Sequence, residues 1–346
     1  MKILVTGGNG FIGRATVKRL LRLGHQVRSI DLQDQSAVPG CEYARCDLTD
    51  YAALRQQVKD QEGIIHLAAL IHPGAGPAPE IFRINCTGSF NVFQAAAEEG
   101  IRKVSCASSI NALGYNFGVK HFDIQYFPID EEHPTLTTDA YSFSKQVTEA
   151  ISAYFWRRDG ISSVCLRLPI VYAAEDEMWK MATALLARQK GVIGDLLTLP
   201  EKELAERMGL VRQAFLAIRQ KRIWEKPWGE HDAPPFDEND PATVLLFGAT
   251  DFWTVIHVED AALVMIKGLS ADYTGSHALF ANETSNYLGI ESETLARLFY
   301  PETKGRKHDL QGTESLVSCD RAARLLGFQA EHSAHDWFES LANANP

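Results

Sequence analysis

The sequence lacks the features that mark several specialised classes of protein. Its six cysteines, spread over 346 residues, form no C-x-x-C pair. No stretch reaches the roughly 18 consecutive apolar residues that a membrane-spanning helix needs. The N-terminal run MKILVTGG has no small-residue cleavage site of the kind that ends a secretion signal. We therefore expect free, buried thiols in a reducing cytoplasm, no metal site and no membrane span.

Positive charge is also scarce. The 34 lysine and arginine residues face 44 aspartate and glutamate residues, which gives a formal net charge of −10. An acidic protein repels phosphate backbones, so we expect no nucleic-acid partner. With 45% hydrophobic and 23% charged residues the composition is that of an ordinary globular protein. The length predicts two domains, at roughly 150 residues per domain.

The first half of the chain alternates short apolar runs with helix-period segments. Residues 2–6 (KILVT) predict a strand, residues 11–23 a helix and residues 25–31 a second strand. The alternation continues with predicted strands over 41–46, 63–67, 102–107 and 162–168 and predicted helices over 50–59, 79–99 and 139–158. This order predicts an α/β fold, a Rossmann-type doubly wound parallel sheet.

Beyond Ala173 the pattern changes. Residues 175–226 are rich in helix-forming residues, and one apolar stripe contains Leu204, Met208, Val211, Phe215 and Ile218. A proline-rich acidic loop is predicted over 231–241. The predicted elements that follow are strands over 243–247 and 253–258, a helix ending at 269 and a closing helix over 318–326.

A glycine-rich turn follows the first strand. In TGGNGFIG, Gly7, Gly10 and Gly13 let a pyrophosphate approach the backbone at the start of a helix, beside Phe11 and Ile12. Asp31 ends the second strand, where a carboxylate hydrogen-bonds ribose hydroxyls and repels a 2′-phosphate. The turn therefore predicts NAD as cofactor in preference to NADP; the alternative is a plain turn followed by a chance acid.

Asp47 and Leu48 follow the third predicted strand. An acid at this position can accept a hydrogen bond from an adenine amino group, so we predict that both residues contact the cofactor. The alternative is that Asp47 simply caps the next helix.

A second motif carries the candidate chemistry. Tyr141 and Lys145 are four residues apart on a predicted helix and so project from one face. A nearby ammonium favours the phenolate, which allows a tyrosine to transfer protons near neutral pH. Ser108 and Ser109 end a predicted strand at the edge where such sheets bind ligands. Of the two we choose Ser109 to hold the substrate oxygen beside Tyr141.

With these motifs in this order, the chain resembles the extended short-chain dehydrogenase/reductase family, also called the NAD-dependent epimerase/dehydratase family. The resemblance implies that Ser109 and Tyr141 act at the substrate and that Lys145 binds the nicotinamide ribose. It further implies a homodimer formed by the helices over 79–99 and 139–158. Along the cofactor it places, besides the glycine turn, Leu67, Ala68, Ala69, Asn85, Tyr141, Lys145 and Pro169.

This resemblance and the change of pattern give a domain prediction. We expect an NAD-binding Rossmann domain over residues 1–172 with a returning segment near 243–270. A smaller, helix-rich C-terminal substrate lobe is then formed by residues 173–242 and 271–346.

The chain departs from the family at the substrate. Family members that act on nucleotide-linked sugars usually carry an Asn and an Arg where this chain has Ile170 and Trp253. Family dehydratases carry an Asp-Glu pair after the catalytic residue, where this chain has Ile110 and Asn111, so dehydration is disfavoured. We predict that Ser109, Asn111, Ile170 and Trp253 line the substrate site.

Two groups of residues leave alternatives open. One group can stack on a sugar ring or form the core of the lobe: Trp224, Trp228, Phe236 and Trp253. The other can bind a diphosphate or form a solvated helix face: Arg212, Arg219, Lys221, Arg222 and Lys226.

The resulting functional prediction is an NAD-dependent oxidoreductase. It moves a hydride at a secondary alcohol or ketone of a sugar, sugar acid or similar small polar substrate, as a dehydrogenase, reductase or epimerase. One alternative is a nucleotide-sugar epimerase that holds the diphosphate with the basic residues above. An alternative of another class is a non-catalytic regulator that senses NAD.

Overall fold

The computed structural model describes residues 1–173, 177–226 and 241–344. The strands are β1 (Lys2–Thr6), β2 (Gln26–Asp31), β3 (Glu42–Arg45), β4 (Gly63–His66), β5 (Lys103–Ser109), β6 (Tyr126–Phe127), β7 (Ser162–Leu168), β8 (Ile170–Tyr172), β9 (Val255–His257), β10 (Ser276–Phe280) and β11 (Gly305–Arg306). The helices are α1 (Phe11–Arg22), α2 (Tyr51–Val58), α3 (Ala78–Phe82), α4 (Gly88–Glu98), α5 (Ala140–Asp159), α6 (Glu177–Leu197), α7 (Glu201–Gln220), α8 (Pro241–Ala249), α9 (Val258–Ser270), α10 (Ser292–Phe299), α11 (Asp320–Leu326) and α12 (Ala334–Ala344).

A seven-stranded sheet organises the molecule. Its strand order is β3-β2-β1-β4-β5-β7-β10, and every neighbouring pair is parallel. The order reverses between β1 and β4, which is where ligands bind in open sheets of this type. The predicted Rossmann-type fold is confirmed. The last strand of the sheet, β10, comes from the segment that the domain prediction assigns to the substrate lobe.

Both faces of this sheet are buried. Ile3 and Val5 of β1 pack into one apolar cluster with α1 and α9, whereas Leu4 packs into a second cluster with α2 and α4 on the opposite face. A strand covered on both faces reads as an unbroken apolar run, and the sequence KILVT has this pattern. The glycine turn, β4 and β5 are thereby held in fixed positions at one edge of the sheet.

A third apolar cluster is separate from the two that cover the sheet. It joins side chains from α7, α8 and α10 to the segment that follows β5, and it contains Met208, Leu245 and Trp253. We call the elements around this cluster the smaller lobe; unlike the predicted substrate lobe, it includes α8. The apolar stripe predicted on α7 is only partly buried. Met208 and Val211 are buried in this cluster, whereas Leu204 and Phe215 are half-buried and pack against it.

The structure corrects three of the predicted elements. Residues 243–247 belong to helix α8 and not to a strand, because a short apolar run fits a buried helix as well as a buried strand. The single helix predicted over 79–99 is divided into α3, a π-helical turn at Arg83–Thr87 and α4. Helix α11 does not close the chain, since α12 follows it.

The exclusions made from the sequence can be compared with the described residues. All six cysteines are free; five are buried, and Cys41 is half-buried. None of the helices within residues 1–173, 177–226 and 241–344 combines the length and apolar character that crossing a bilayer requires. In the same ranges, no three His, Cys, Asp or Glu side chains are grouped as metal ligands would be.

Candidate cofactor and active site

The glycine turn between β1 and α1 is packed directly against the end of β4. Gly7 has a φ of +71°, and a Cβ added there would lie 2.7 Å from the backbone nitrogen of Ala68. A Cβ on Gly13 would lie 2.1 Å from the carbonyl oxygen of Gly7. A side chain at either position would therefore collide with backbone. The turn leaves bare backbone N–H groups at the start of α1, a cradle that fits a pyrophosphate.

Asp31 faces this cradle from the end of β2. Its carboxylate accepts hydrogen bonds from the backbone N–H groups of Asn9, at 3.0 Å, and of Leu32, at 2.8 Å. Arg28, the cation nearest in sequence, is directed elsewhere, with its Nε 2.9 Å from the carboxylate of Glu42. The fixed anion at the end of β2 fits a ribose that carries free hydroxyls.

We expect NAD to bind at least tenfold more tightly than NADP, because the carboxylate of Asp31 repels a 2′-phosphate. A tenfold ratio corresponds to about 1.4 kcal/mol. Asp31→Asn should reduce the ratio, whereas Asp34→Asn, which removes an exposed carboxylate paired with Arg45, should leave it unchanged. Titration calorimetry with both cofactors measures the ratio, and equal affinities in the wild type would contradict this role.

Asp47 lies beyond β3, exposed to solvent. Its carboxylate accepts hydrogen bonds from the backbone N–H and hydroxyl of Thr49, both at 2.8 Å. The residue that caps helix α2 is Asp50, whose side chain accepts from the backbone N–H of Ala53. The alternative reading of Asp47 as a helix cap is therefore wrong. Leu48 is buried, and the contact of both residues with adenine stays a prediction.

The predicted catalytic residues lie together at the same edge of the sheet. Ser109 is the last residue of β5, and Tyr141 lies in the first turn of α5. The hydroxyl of Ser109 is within hydrogen-bonding reach of the Tyr141 hydroxyl. Lys145, one turn further along α5, donates from Nζ to the carbonyl oxygen of Ala107 at 3.0 Å. Its Nζ lies 5.9 Å from the centre of the Tyr141 ring.

Burial disfavours the charged forms of both titratable groups. It raises the pKa of Tyr141 to about 12; the hydrogen bond with Ser109 lowers this pKa, and the charge of Asp139 raises it. Burial also lowers the pKa of Lys145. In the protein alone Tyr141 is therefore a neutral phenol at pH 7. A further positive charge beside the ring would favour the phenolate.

The two adjacent serines point in opposite directions, as the alternation of a strand requires. Ser108 donates to Oε1 of Glu149 at 2.7 Å, and the same carboxylate is paired with Arg167 at 2.8 Å. Ser109 instead accepts from the backbone N–H of Asn111 at 3.1 Å and faces Tyr141. This geometry supports the choice of Ser109.

Alanine substitutions at these two neighbours should have different effects. Ser109→Ala removes a hydrogen bond at the reacting oxygen, so we expect kcat/KM to fall roughly 10- to 100-fold. Ser108→Ala should leave kcat/KM unchanged and lower the free energy of unfolding by about 1–3 kcal/mol, because a buried carboxylate loses a donor. Steady-state kinetics and urea unfolding measure the two effects. Equal losses of kcat/KM would contradict the assignment.

Of the predicted substrate residues, Asn111 is the best placed. It is buried in the turn after β5, its Nδ2 donates to the Ser109 hydroxyl at 3.3 Å, and its Oδ1 has no hydrogen-bond partner within the described parts of the chain. This buried acceptor fits a donor group on a ligand. Ile170 is 36% exposed at the start of β8 and adds an apolar surface.

The prediction that Trp253 lines the substrate site is wrong. Its side chain has no exposed surface, and its ring packs 4.8 Å from that of Phe299 in the core of the smaller lobe. Of the two alternatives left open by the sequence, stacking on a sugar ring or packing in the core, Trp253 therefore fits the second. Trp228 and Phe236 lie outside the described residues.

Two of the residues predicted to contact the cofactor, Asn85 and Pro169, are packed within the protein. The carboxamide of Asn85, in the π-helical turn, bonds to the backbone N–H and carbonyl of Leu70 and donates to the hydroxyl of Ser144. It thereby ties the loop after β4 to helix α5. Pro169 is buried between β7 and β8. Direct contacts of either residue with the cofactor stay predictions.

The structure also places residues at the site that the sequence did not single out. Asn9 anchors the segment after β2 through its carboxamide, which donates to Gln33 and accepts from the backbone N–H of Ala37. The ring of Phe117 lies 5.9 Å from that of Tyr141, and the ring of His72 lies 4.9 Å from that of Phe117. Asn9 falls inside the glycine motif, but no spacing in the sequence marks Phe117 or His72.

The chain is similar in sequence to sugar-acid and nucleotide-sugar enzymes over about half of its length. It is 27% identical to "Uronate dehydrogenase" of Pseudomonas syringae pv. tomato over 53% of this chain and 64% of the relative. It is 30% identical to "Uronate dehydrogenase" of Pseudomonas putida over 48% of this chain and 60% of the relative. It is 30% identical to the "Putative UDP-glucose 4-epimerase" of Methanocaldococcus jannaschii over 51% of this chain and 57% of the relative. The chain thus spans about three-fifths of the length of these curated relatives.

Solved structures share the fold over the whole chain. A short-chain dehydrogenase/reductase superfamily protein from Agrobacterium tumefaciens, solved with bound NAD, superposes with a TM-score of 0.61 at 20% identity, covering 99% of this chain and 97% of that one. The UDP-glucose 4-epimerase of Thermotoga maritima, solved with UDP-glucose, superposes with a TM-score of 0.59 at 16% identity, covering 100% of both chains. At these identities the likeness concerns the fold alone.

The family model for "NAD dependent epimerase/dehydratase family" matches residues 3–202 of the 346. The match covers β1 to β8 and so includes the glycine turn, Ser109, Tyr141 and Lys145. The family predicted from the sequence is therefore confirmed, and this chain belongs to the NAD-dependent epimerase/dehydratase family.

Proposed function

We propose that this protein is an NAD-dependent oxidoreductase acting at a secondary alcohol or ketone of a sugar or sugar acid. The observation that carries the proposal is the arrangement of Ser109, Tyr141 and Lys145 at the sheet edge beside the glycine turn. Two of the relatives bear the name uronate dehydrogenase and a third the name putative UDP-glucose 4-epimerase, and these names support a sugar or sugar acid as substrate.

NAD is the cofactor by which the family is named, and the cradle at Gly7 and Gly13 with Asp31 beside it fits a dinucleotide. When bound, NAD supplies the nicotinamide ring that accepts or returns a hydride. The backbone at Leu67–Ala69 and the side chains of Tyr141 and Lys145 would hold the nicotinamide end of the cofactor, with Lys145 at the ribose.

The side chains of this site accept and return the proton of the substrate hydroxyl. In the oxidative direction Tyr141, as phenolate, takes the proton from the substrate hydroxyl, and in the reductive direction the phenol returns it. Ser109 holds the same oxygen atom through its hydroxyl. Lys145 supplies the positive charge that favours the phenolate, against the effect of burial.

Two of the five basic residues that the nucleotide-sugar epimerase alternative relies on already have partners within the protein. Arg219 is buried and donates to the carbonyl oxygens of Asn116 and Gly118, and the guanidinium of Arg222 is paired with Glu225. Neither is available to hold a diphosphate without losing its partner. The regulator alternative gives no role to a buried serine, tyrosine and lysine that share one site.

A screen for NADH formation at 340 nm tests the proposal. We expect at least one sugar or sugar acid to reduce NAD, with nucleotide-linked sugars as the comparison set. Arg212→Ala, which alters a half-buried cation of the insertion, should leave the accepted substrates unchanged. An epimerase returns the hydride to its substrate and leaves no net NADH, so the sugars are also separated by chromatography after the reaction. Exclusive conversion of nucleotide-linked sugars into their epimers would support the epimerase instead. The absence of turnover with every substrate, while NAD binds, would support the regulator.

We also propose a cytoplasmic homodimer. All six cysteines are free, as a reducing compartment favours. Helices α3, α4 and α5 display aromatic side chains that are each more than a third exposed and that pair between helices, Phe82 with Phe143 and Phe90 with Tyr154. Exposed aromatic patches of this kind are typical of protein interfaces.

A charge placed in this aromatic surface should separate the subunits. Phe143 is 46% exposed and stacks on Phe82 with the ring centres 5.5 Å apart. We expect the wild type to have the mass of a dimer in light scattering and Phe143→Glu to have that of a monomer. Leu23→Glu, at a 58% exposed residue after α1, is the control and should remain dimeric. A monomeric wild type would contradict the proposal.

A further inference from the structure

The segment that follows the catalytic strand is pinned by the insertion between α6 and α8. Arg219, near the end of α7, is 5% exposed, and its Nη1 donates to the carbonyl oxygens of Asn116, at 3.1 Å, and Gly118, at 2.7 Å. Its guanidinium carbon also lies 5.2 Å from the centre of the Tyr115 ring. The residue between the two carbonyls is Phe117. Arg219 therefore fixes the backbone on both sides of this ring.

The other side of Asn116 is pinned as well. Its carboxamide donates to the carboxylate of Asp251, which is buried at the end of α8. Phe117 is thus held from two separate elements of the smaller lobe. The position of the Phe117 ring is therefore fixed by hydrogen bonds to the segments on both of its sides.

Three rings meet beside the catalytic tyrosine. The centre of the Phe117 ring lies 5.9 Å from that of Tyr141, 5.5 Å from that of Trp224 and 4.9 Å from that of His72. The ring centres of His72 and Trp224 lie 6.0 Å apart. We call His72, Phe117 and Trp224 the aromatic wall. All three are half-buried, as residues that line a cleft are.

The wall joins three distant parts of the chain. His72 follows β4, Phe117 follows β5, and Trp224 lies in a short turn after α7. The two outer segments are in close contact, since a Cβ added to Gly74 would lie 2.5 Å from the carbonyl oxygen of Lys226 and 3.3 Å from that of Trp224. The insertion therefore packs onto the loop that follows β4, next to Tyr141.

The wall is uncharged. Burial lowers the pKa of His72 to about 4, and its Nδ1 accepts a hydrogen bond from the backbone N–H of Gly74 at 2.9 Å, so the ring is neutral at pH 7. The guanidinium of Arg219 is occupied by the two carbonyl oxygens on either side of Phe117. Such a surface favours the flat C–H face of a ring and offers nothing to a diphosphate.

We propose that the aromatic wall determines substrate specificity by stacking on the C–H face of a cyclic sugar or sugar acid that carries no nucleotide. This inference rests on the proposed function and names its substrate class. Trp224 and Phe117 are the specificity-determining residues, and Arg219 is a positioning residue that acts through Phe117.

Substitutions at Trp224 test the inference with a matched pair of substrates, a cyclic uronic acid and an open-chain aldonic acid of the same charge. We expect Trp224→Ala to raise KM for the cyclic acid about tenfold, with kcat within threefold of wild type and little change for the open-chain acid. Trp224→Phe keeps a flat ring and should stay within threefold of wild type in KM. Leu216→Ala, at a 42% exposed residue of α7, is the control and should behave as wild type.

A binding measurement separates this inference from the proposed function. Calorimetry of the uronic acid with the NAD-loaded protein should show about tenfold weaker binding for Trp224→Ala and unchanged affinity for NAD itself. Binding can be measured even if no substrate is turned over. An absence of turnover would contradict the proposed function but not the role of the aromatic wall in binding. The inference would be overturned by unchanged binding of the uronic acid in Trp224→Ala, by equal loss for both acids, or by weaker binding of NAD. If Trp224→Ala does not fold, Phe117→Leu in the same assays replaces it.

Discussion

Replacing Tyr141 by phenylalanine is expected to lower kcat by about a thousandfold while NAD binds as in the wild type. General acid-base catalysis contributes roughly 10²- to 10⁴-fold in rate. The substitution removes the hydroxyl that faces Ser109 and keeps the ring that packs against Phe117. The fold and the cofactor cradle should therefore survive, and only proton transfer should be lost.

The control for this variant is a tyrosine that is buried but remote from the site. The Tyr273 hydroxyl donates to the carbonyl oxygen of Gly268 at 2.7 Å, beside β7 and β10. Tyr273→Phe removes one buried hydrogen bond and should leave kcat unchanged. Rapid-mixing kinetics at saturating NAD, with calorimetry for cofactor binding, measures both variants. A Tyr141→Phe protein with more than a tenth of the wild-type kcat would contradict the mechanism.

The second large effect is expected at Lys145. Its Nζ lies 5.9 Å from the centre of the Tyr141 ring, so we expect its positive charge to favour the phenolate. An opposite charge within about 4–6 Å typically moves a pKa by roughly 1–3 in the direction of the charged form. Lys145→Met should therefore shift the rise of oxidation rate with pH to higher pH by about one to two units, and lower kcat at pH 7 roughly 100-fold.

The direction of this shift follows from the protonation state that each reaction needs. Oxidation requires the phenolate, so the oxidation rate rises with pH up to the pKa of Tyr141; reduction requires the phenol, so its rate falls above that pKa. Removing the ammonium moves both limits to higher pH. Lys103→Met is the control, since this amine donates to the carbonyl oxygens of Ala271 and Tyr273, away from the site. An unchanged pH profile in Lys145→Met would show that Lys145 does not act on Tyr141.

The sheet could be predicted from the sequence because its strands are buried on both faces. Runs such as KILVT are apolar throughout, and the glycine turn marks where the first of them ends. The same reasoning failed for residues 243–247, because a short apolar run is equally compatible with the buried helix α8. It also failed to show the π-helical turn that orients Asn85, since a five-residue segment is too short to have a recognisable apolar period of its own.

The site could be predicted only where its residues are close in sequence or end a strand. Tyr141 and Lys145 share one helix face, and Ser109 ends β5. The aromatic wall combines residues 45 to 152 positions apart, which no spacing can bring together. The role of Arg219 was hidden for the same reason, because its acceptors at Asn116 and Gly118 come from a distant segment. A count of basic residues cannot distinguish a buried guanidinium from a solvated one.

The proposed function requires that Tyr141 and its neighbours oxidise a secondary alcohol of a sugar or sugar acid with transfer of hydride to NAD. Mass spectrometry of the cofactor after turnover of a substrate deuterated at the reacting carbon tests this most directly. We expect one deuterium in the reduced cofactor for the wild type and none above background for Tyr141→Phe over the same time. An unlabelled reduced cofactor, or deuterium released into water, would contradict the account.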